Sequence, residues 1–194
     1  MQKHRNIARH IHFPAQSGST RILKKMNRTY TRQQYLKIIN EFKKKLPDIT
    51  FSSDFIIGFP SESNKDFELT LSLLEKIEYD SLFSFIYSKR EHTKAKTLKD
   101  NVTLSTKKER LYKLQDLQKT IQIKHNKALI EKTIEVLVTG KNKKKEEEFI
   151  GRTESYKTVN FTSNKKDIIG QFVNVKIEKV GPYSLRGIAE TNIN

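Results

Sequence analysis

Three short segments carry more polar side chains than a plain scaffold of helices and strands needs. Pro14-Ala15-Gln16-Ser17-Gly18-Ser19 follows a short apolar run, and Met26-Asn27-Arg28 ends the helical stretch after it. Ser53-Asp54-Phe55-Ile56-Ile57-Gly58-Phe59-Pro60-Ser61-Glu62 covers a second apolar run and the turn behind it. An amide, a hydroxyl, a guanidinium and a carboxylate at the carboxyl ends of strands could hold a small polar ligand, because α/β folds bind ligands there. Spacing alone favours a purely structural reading, with Gly18 and Gly58 shaping tight turns and Asp54 a satisfied buried polar group. Other chemistries have less support. His10 and His12 share a strand face without a third ligand, Asp80 and Glu62 make no carboxylate pair, and no Ser-His-Asp arrangement has suitable spacing. The chain contains no cysteine, so it supplies no disulfide, no thiolate nucleophile and no cysteine ligand for a metal or iron–sulfur cluster.

The elements that must position these residues follow from periodicity. Residues 7–15 read as a strand closed by Pro14, and 20–26 as a short helix with Thr20 as N-cap. Thr31 caps a helix to about Lys45 with Tyr35, Ile38, Ile39 and Phe42 on one face, and Pro47 stops it. A buried parallel strand is expected at 51–59, then a helix capped by Ser63 with an apolar stripe of Phe67, Leu71, Leu74 and Ile77. Residues 80–87 form another strand. Strands alternating with helices imply a parallel sheet. A long helix is expected at 106–127, with Leu111, Leu114, Leu117 and Ile121 facing one way. Beyond it the period becomes two. Five short strands at 133–138, 148–153, 158–161, 172–180 and 185–189, split by glycines, suggest a small antiparallel OB-like barrel. The domain boundary falls near 128–132, and Lys143-Lys144-Lys145-Glu146-Glu147-Glu148 reads as a solvated loop.

Read together, "HIHFPAQSGSTRILKKMNRTYTRQQYL", "SSDFIIGFPSES", "FSFIYSKREHTKA" and "EVLVTG…GRT…VNF…SLRG" resemble the radical S-adenosylmethionine tRNA methylthiotransferases of the MiaB type, over about residues 7–190. The resemblance implies an α/β fold: the back half of a radical-SAM (β/α)6 parallel barrel over 1–128, then a five-stranded OB-like TRAM barrel that binds RNA over 129–194. It implies that Gln16 and Ser17, Asp54, and Ile56 with Gly58 serve S-adenosyl-L-methionine, Gln16 and Asp54 meeting ribose hydroxyls and Ile56–Gly58 lining the adenine. Arg28 would pair with the methionine carboxylate, using a two-donor fork that lysine lacks. In the second domain Arg152, Lys157, Asn160, Phe161, Ser184 and Arg186 match the TRAM pattern, with cations for phosphates and aromatic and amide groups for unstacked bases.

The implied reaction is methylthiolation at C2 of an N6-isopentenyl or dimethylallyl adenosine beside the anticodon of tRNA. The family carries a CxxxCxxC loop and three further cysteines for its 4Fe–4S clusters, and both would lie before residue 1. Alone, this polypeptide should therefore not catalyse the reaction, and a separate amino-terminal polypeptide would have to supply the clusters. A non-catalytic tRNA-binding remnant, or an enzyme for threonylcarbamoylated adenosine, are the alternatives. The charge agrees with a polyanion partner: 38 basic against 22 acidic residues give +16. That figure is discounted because 29 of the 38 are lysine, as an AT-rich coding bias would also produce. No apolar run approaches the roughly 18 residues of a membrane span. The basic, polar first ten residues do not read as a secretory signal, so the expected location is cytoplasmic.

Overall fold

A computed structural model of the chain describes residues 1, 7–89, 91, 93–142 and 145–190, and among these leaves aside the side chains of Lys94 and Glu146. Two compact units divide the chain between Ile121 and Gln122, inside one long helix, and residues 7–10 belong with the second.

Apart from His10 at the start of β1, the first unit holds a three-stranded sheet in the order β1 (His10–His12), β2 (Thr50–Ile57), β3 (Ser81–Ile86). β2 and β3 run parallel, with Asp54 opposite Phe83 and Ile56 opposite Phe85. Between β1 and β2 stand α1 (Thr20–Lys25) and α2 (Arg32–Lys45), and between β2 and β3 stands α3 (Asn64–Ile77). A one-turn 3-10 helix (Lys94–Thr97) precedes α4 (Leu104–Lys127). The caps at Thr31 and Ser63 are both capping boxes, closed by Gln34 and Asp66. α1 departs from expectation. Ser19, not Thr20, accepts the Ile22 N–H as N-cap, because the Thr20 hydroxyl accepts from Arg32 N at 3.1 Å and so ties α1 to α2.

Strand alternation sorts the sheet into two faces. Ser53, Phe55 and Ile57 point into the apolar layer, where the Phe55 ring meets Tyr79 edge-on and the Tyr79 hydroxyl donates to Tyr35 of α2. Asp54 and Ile56 point the other way, beside Phe83 and Phe85, which are 59% and 57% exposed. Ile57 therefore does not share a face with Phe83 and Phe85. Ile57 and Phe59 are buried, and register puts Phe83 and Phe85 with Asp54 and Ile56.

The second unit is a closed barrel in the order β4 (Thr133–Asn142), β5 (Lys145–Thr153), β6 (Thr158–Thr162), β8 (Ser184–Ala189), β7 (Phe172–Val180). Every neighbouring pair is antiparallel except β6–β8, which is parallel and closes the ring. Val136, Val138, Phe149, Val159, Phe161, Val175, Ile177 and Leu185 fill its core. The expected solvated loop around Lys145 to Glu148 is instead the start of β5; Lys143 and Lys144 lie outside the described residues. Among the described residues, no helix is long and apolar enough to cross a membrane.

One buried carboxylate joins the turns that follow β1 and β2. Asp66 accepts from the Ser19 hydroxyl at 2.6 Å, from the Ser63 N–H at 2.9 Å, from the Ser63 hydroxyl, and from the guanidinium of Arg21. Burial pushes its pKa up, but the hydrogen bonds from Arg21, Ser19 and Ser63 outweigh that and hold it far below the usual carboxylate range. A depressed folded-state pKa adds stability that is present above the ordinary carboxylate pKa and lost as pH falls through that range toward the folded value. Asp66→Asn should cost about 2 kcal/mol near neutral pH, after allowance for the exposed Arg21. The difference from wild type should shrink on acidification, as urea unfolding at several pH values will show; a constant difference would contradict this role.

Candidate functional site

At the carboxyl end of the sheet, the sequence-predicted ligand residues divide into those brought together and those spent on structure. Gln16 sits between Asp54 and Ile56: its N–H donates to Asp54 O at 2.8 Å, and Ile56 N donates to Gln16 O at 3.0 Å. It takes a left-handed backbone (φ 63°), a conformation uncommon outside glycine. The Asp54 carboxylate is part-exposed and lies 3.4 Å from His12 Nε2, while the other ring nitrogen of His12 is 2.9 Å from the Ser52 hydroxyl. Arg28 is exposed just beyond α1, its N–H donating to Leu23 O. Burial raises the pKa of the neighbouring Tyr30, and the Arg28 charge pulls it partly back, so the guanidinium lies within electrostatic reach. The Tyr30 hydroxyl in turn reaches the carbonyls of Pro14 and Ala15, next to Gln16.

Ser17 and Gly58 each shape a turn. The Ser17 side chain is buried, and its hydroxyl accepts the Ser19 N–H to close the turn. Gly18 beside it is required by close approach, since a Cβ there would stand 2.3 Å from the Leu69 carbonyl oxygen of α3. Gly58 has φ +70°, and the space a Cβ would take is filled by the stem of Lys107.

Lys107 belongs to a brace that periodicity did not reveal. The buried stripe of α4 is Lys107, Arg110, Leu114, Gln118 and Ile121, spaced as one helix face but mostly polar. The Lys107 ammonium pairs with Asp100 at 2.6 Å and lies 5.4 Å from the Tyr87 ring centre. Arg110 donates to Glu62 Oε1 at 2.8 Å, to the Glu62 carbonyl at 3.1 Å and to Asn64 Oδ1 at 2.7 Å. Glu62 Oε1 also accepts the Gly58 N–H at 3.0 Å. Two cations of one helix thus grip the turn after β2 from both ends. A cation at i and another at i+3 of an amphipathic stretch was the only trace of this in the sequence, and such spacing is common on solvated faces.

On the barrel, strand pairing assembles a second set. Arg152, Thr158 and Ser184 form one row across β5, β6 and β8; Ile150, Asn160 and Arg186 form the next, continued by Lys179 on β7. These side chains point outward, since Gly151, Val159 and Leu185 between them are buried. Arg152 donates to Tyr156 O and Thr158 Oγ1, which orients its guanidinium, and Lys157 follows in the same turn. Arg186 lies 3.9 Å from Glu148. Phe161 does not belong with them. It is 1% exposed, points inward by alternation with Asn160, and stacks on Phe149 at 5.9 Å, so its ring is core and cannot meet a base.

Comparison with known proteins places both parts. Residues 1–74 match the radical SAM superfamily, and residues 127–189 match the TRAM domain. The chain is 46% identical over 182 residues to tRNA-2-methylthio-N(6)-dimethylallyladenosine synthase of Bacillus cytotoxicus, covering 94% of this chain and 36% of that protein. It is 48% identical over 181 residues to the protein of that name in Clostridium botulinum strain Langeland, covering 93% and 40%. For Geobacillus kaustophilus the figures are 44% over 187 residues, 96% and 35%. The chain thus spans 35–40% of the length of these relatives. The iron–sulfur clusters of the resemblance find no ligands here: the chain has no cysteine, and among the described residues no three His, Asp or Glu side chains group as metal ligands.

The brace makes its own prediction. Burial raises the pKa of Glu62, opposed by the Gly58 N–H and by Arg110. Arg110→Ala leaves that carboxylate buried without its cation and should cost about 3 kcal/mol at neutral pH. A raised folded-state pKa means that the folded chain binds the proton more tightly, so stability returns as pH falls toward the carboxylate range. Unfolding of wild type and variant should therefore converge near about pH 5. A penalty unchanged from neutral to acid would refute the brace.

Proposed function

Because the chain belongs to the MiaB-type tRNA methylthiotransferases, a radical-SAM segment followed by a TRAM domain, we propose that it is the cofactor- and RNA-holding portion of a tRNA-2-methylthio-N6-dimethylallyladenosine synthase. The observation that carries this reading is similarity at 44–48% identity running through both the sheet and the barrel. A division of labour follows, with residues 1–128 serving S-adenosylmethionine and 129–194 serving the anticodon arm of tRNA.

The donor set at the sheet end fits the cofactor. The Asp54 carboxylate and Gln16 amide suit ribose hydroxyls, and Ile56 beside exposed Phe83 and Phe85 suits an adenine face. Arg28, an exposed guanidinium near that end, suits the methionine carboxylate. When bound, S-adenosylmethionine supplies the methyl group and the 5′-deoxyadenosyl fragment. The part of these residues is to bind and orient it, since none of them can give a thiolate to a cluster. The TRAM match over residues 127–189 favours one further reading, a non-catalytic tRNA-binding role, which uses the same barrel face.

RNA binding tests both. The full chain should bind an anticodon stem-loop with affinity that falls steeply as salt rises, because neutralised phosphates release counterions. Arg186→Ala should weaken binding and reduce the slope of log affinity against log salt by about 1. Absence of binding at low salt, or binding indifferent to salt, would overturn the assignment of the barrel face.

A further inference from the structure

With Phe161 in the core, the two outward rows that run through Arg152 and Thr158 and through Asn160 and Arg186 hold no aromatic ring among the described residues. Two exposed tyrosines stand at the edge of those rows. β6 and β8 are parallel and paired with Thr158 opposite Ser184, so the turns entering them emerge at the same end of the barrel. Tyr156 lies two residues before Thr158, and Tyr183 immediately precedes Ser184. They are 61% and 72% exposed.

Both rings are carried on turns whose backbones are pinned. Tyr156 has φ 63°, a left-handed backbone that bulky residues seldom adopt. Its N–H donates to Thr153 O at 3.0 Å and its carbonyl accepts from Arg152, while Lys157 N donates to Thr153 Oγ1 at 3.1 Å. The Tyr156 ring lies 5.2 Å from that of His10, within the same compact unit, and still keeps most of its surface free. In the other turn Gly181 N donates to Ser184 O at 2.9 Å, and the buried Asn126 donates to the carbonyls of Gly181 and Pro182 at 2.7 and 3.2 Å. Single exposed aromatics need no explanation. Two on rigid turns at one end, bordering the rows that hold Arg152, Arg186 and Lys179, are a different arrangement.

Resting on the RNA reading of the barrel, we infer that Tyr156 and Tyr183 form a stacking platform for unpaired bases, with Arg152, Lys157 and Arg186 taking the phosphates of the same strand. Every base has a π-face, so such a platform binds single strands without demanding sequence, and a duplex, whose bases already stack on each other, cannot use it. Holding the rings on pinned turns lowers the entropy lost when a base lands.

The test measures binding of the full chain to a labelled single-stranded RNA and to a blunt RNA duplex of equal length, across a range of salt. Wild type should favour the single strand. Tyr156→Ala and Tyr183→Ala should each weaken single-strand binding roughly tenfold, with the salt slope unchanged and duplex binding unaffected. Tyr156→Phe and Tyr183→Phe should bind as wild type, as should Tyr112→Ala, which removes an equally exposed ring from α4. If the alanine variants bind like wild type while Arg186→Ala is weakened, stacking is refuted and the RNA reading stands. An equal loss on single strand and duplex also refutes stacking. If wild type binds neither RNA at low salt, both inferences fall.

Discussion

The Asp66 carboxylate is the constraint on which the sheet end depends. A sheet fixes its strands but not the turns that leave them, and Gln16, Ser17, Arg28 and Gly58 stand outside the strands that carry Asp54 and Ile56. Asp66 sits in the first turn of α3 yet takes hydrogen bonds from Ser19 after β1 and from Ser63 after β2, with Arg21 supplying the countercharge. The two turns are therefore held to one point. A buried carboxylate is costly unless it is fully satisfied, so few arrangements of Ser19, Arg21 and Ser63 are tolerated. Gln16, three residues before Ser19, and Gly58, five before Ser63, inherit that restriction. Glu62 and Arg110 extend it to α4, and Lys107 covers the glycine that lets the chain turn.

In the barrel the corresponding constraint is closure. The parallel β6–β8 pair ends the ring, and strict alternation then decides which side chains face out. Val159 and Phe161 must point in if Asn160 and Thr158 point out. A small barrel has no room for ambiguity, since its interior is filled by side chains. The same closure brings Arg186 of the last strand beside Asn160, 26 residues earlier, and sets Tyr156 and Tyr183 at a common end.

Much of this was legible in the sequence. Among the described residues, alternating apolar runs and helical stripes located the strands and the four α-helices, because each element buries one face and punctuates its ends with glycine, proline or a hydroxyl. Boundaries moved where a side chain had two possible duties. Thr20 has the chemistry of an N-cap, but Ser19 takes that place once Thr20 is engaged by Arg32. Phe161 suits either a core or a base, and only strand register chooses between them. The α4 brace was not legible, because lysine and arginine bury their stems while their heads find acids far away in sequence, and an apolar pattern does not register them. Ser17 and Gly58 stand out by motif, and the turn geometry that both serve shows only in the structure.

The central claim is that the outward face of β5, β6 and β8 is where this chain meets RNA. Amide hydrogen–deuterium exchange of the full chain, with and without an anticodon stem-loop, tests it most directly. The account predicts new protection over residues 148–162 and 183–189, with the sheet strands β2 and β3 unchanged. Protection confined to residues 50–87, or none at binding concentrations of RNA, would contradict it.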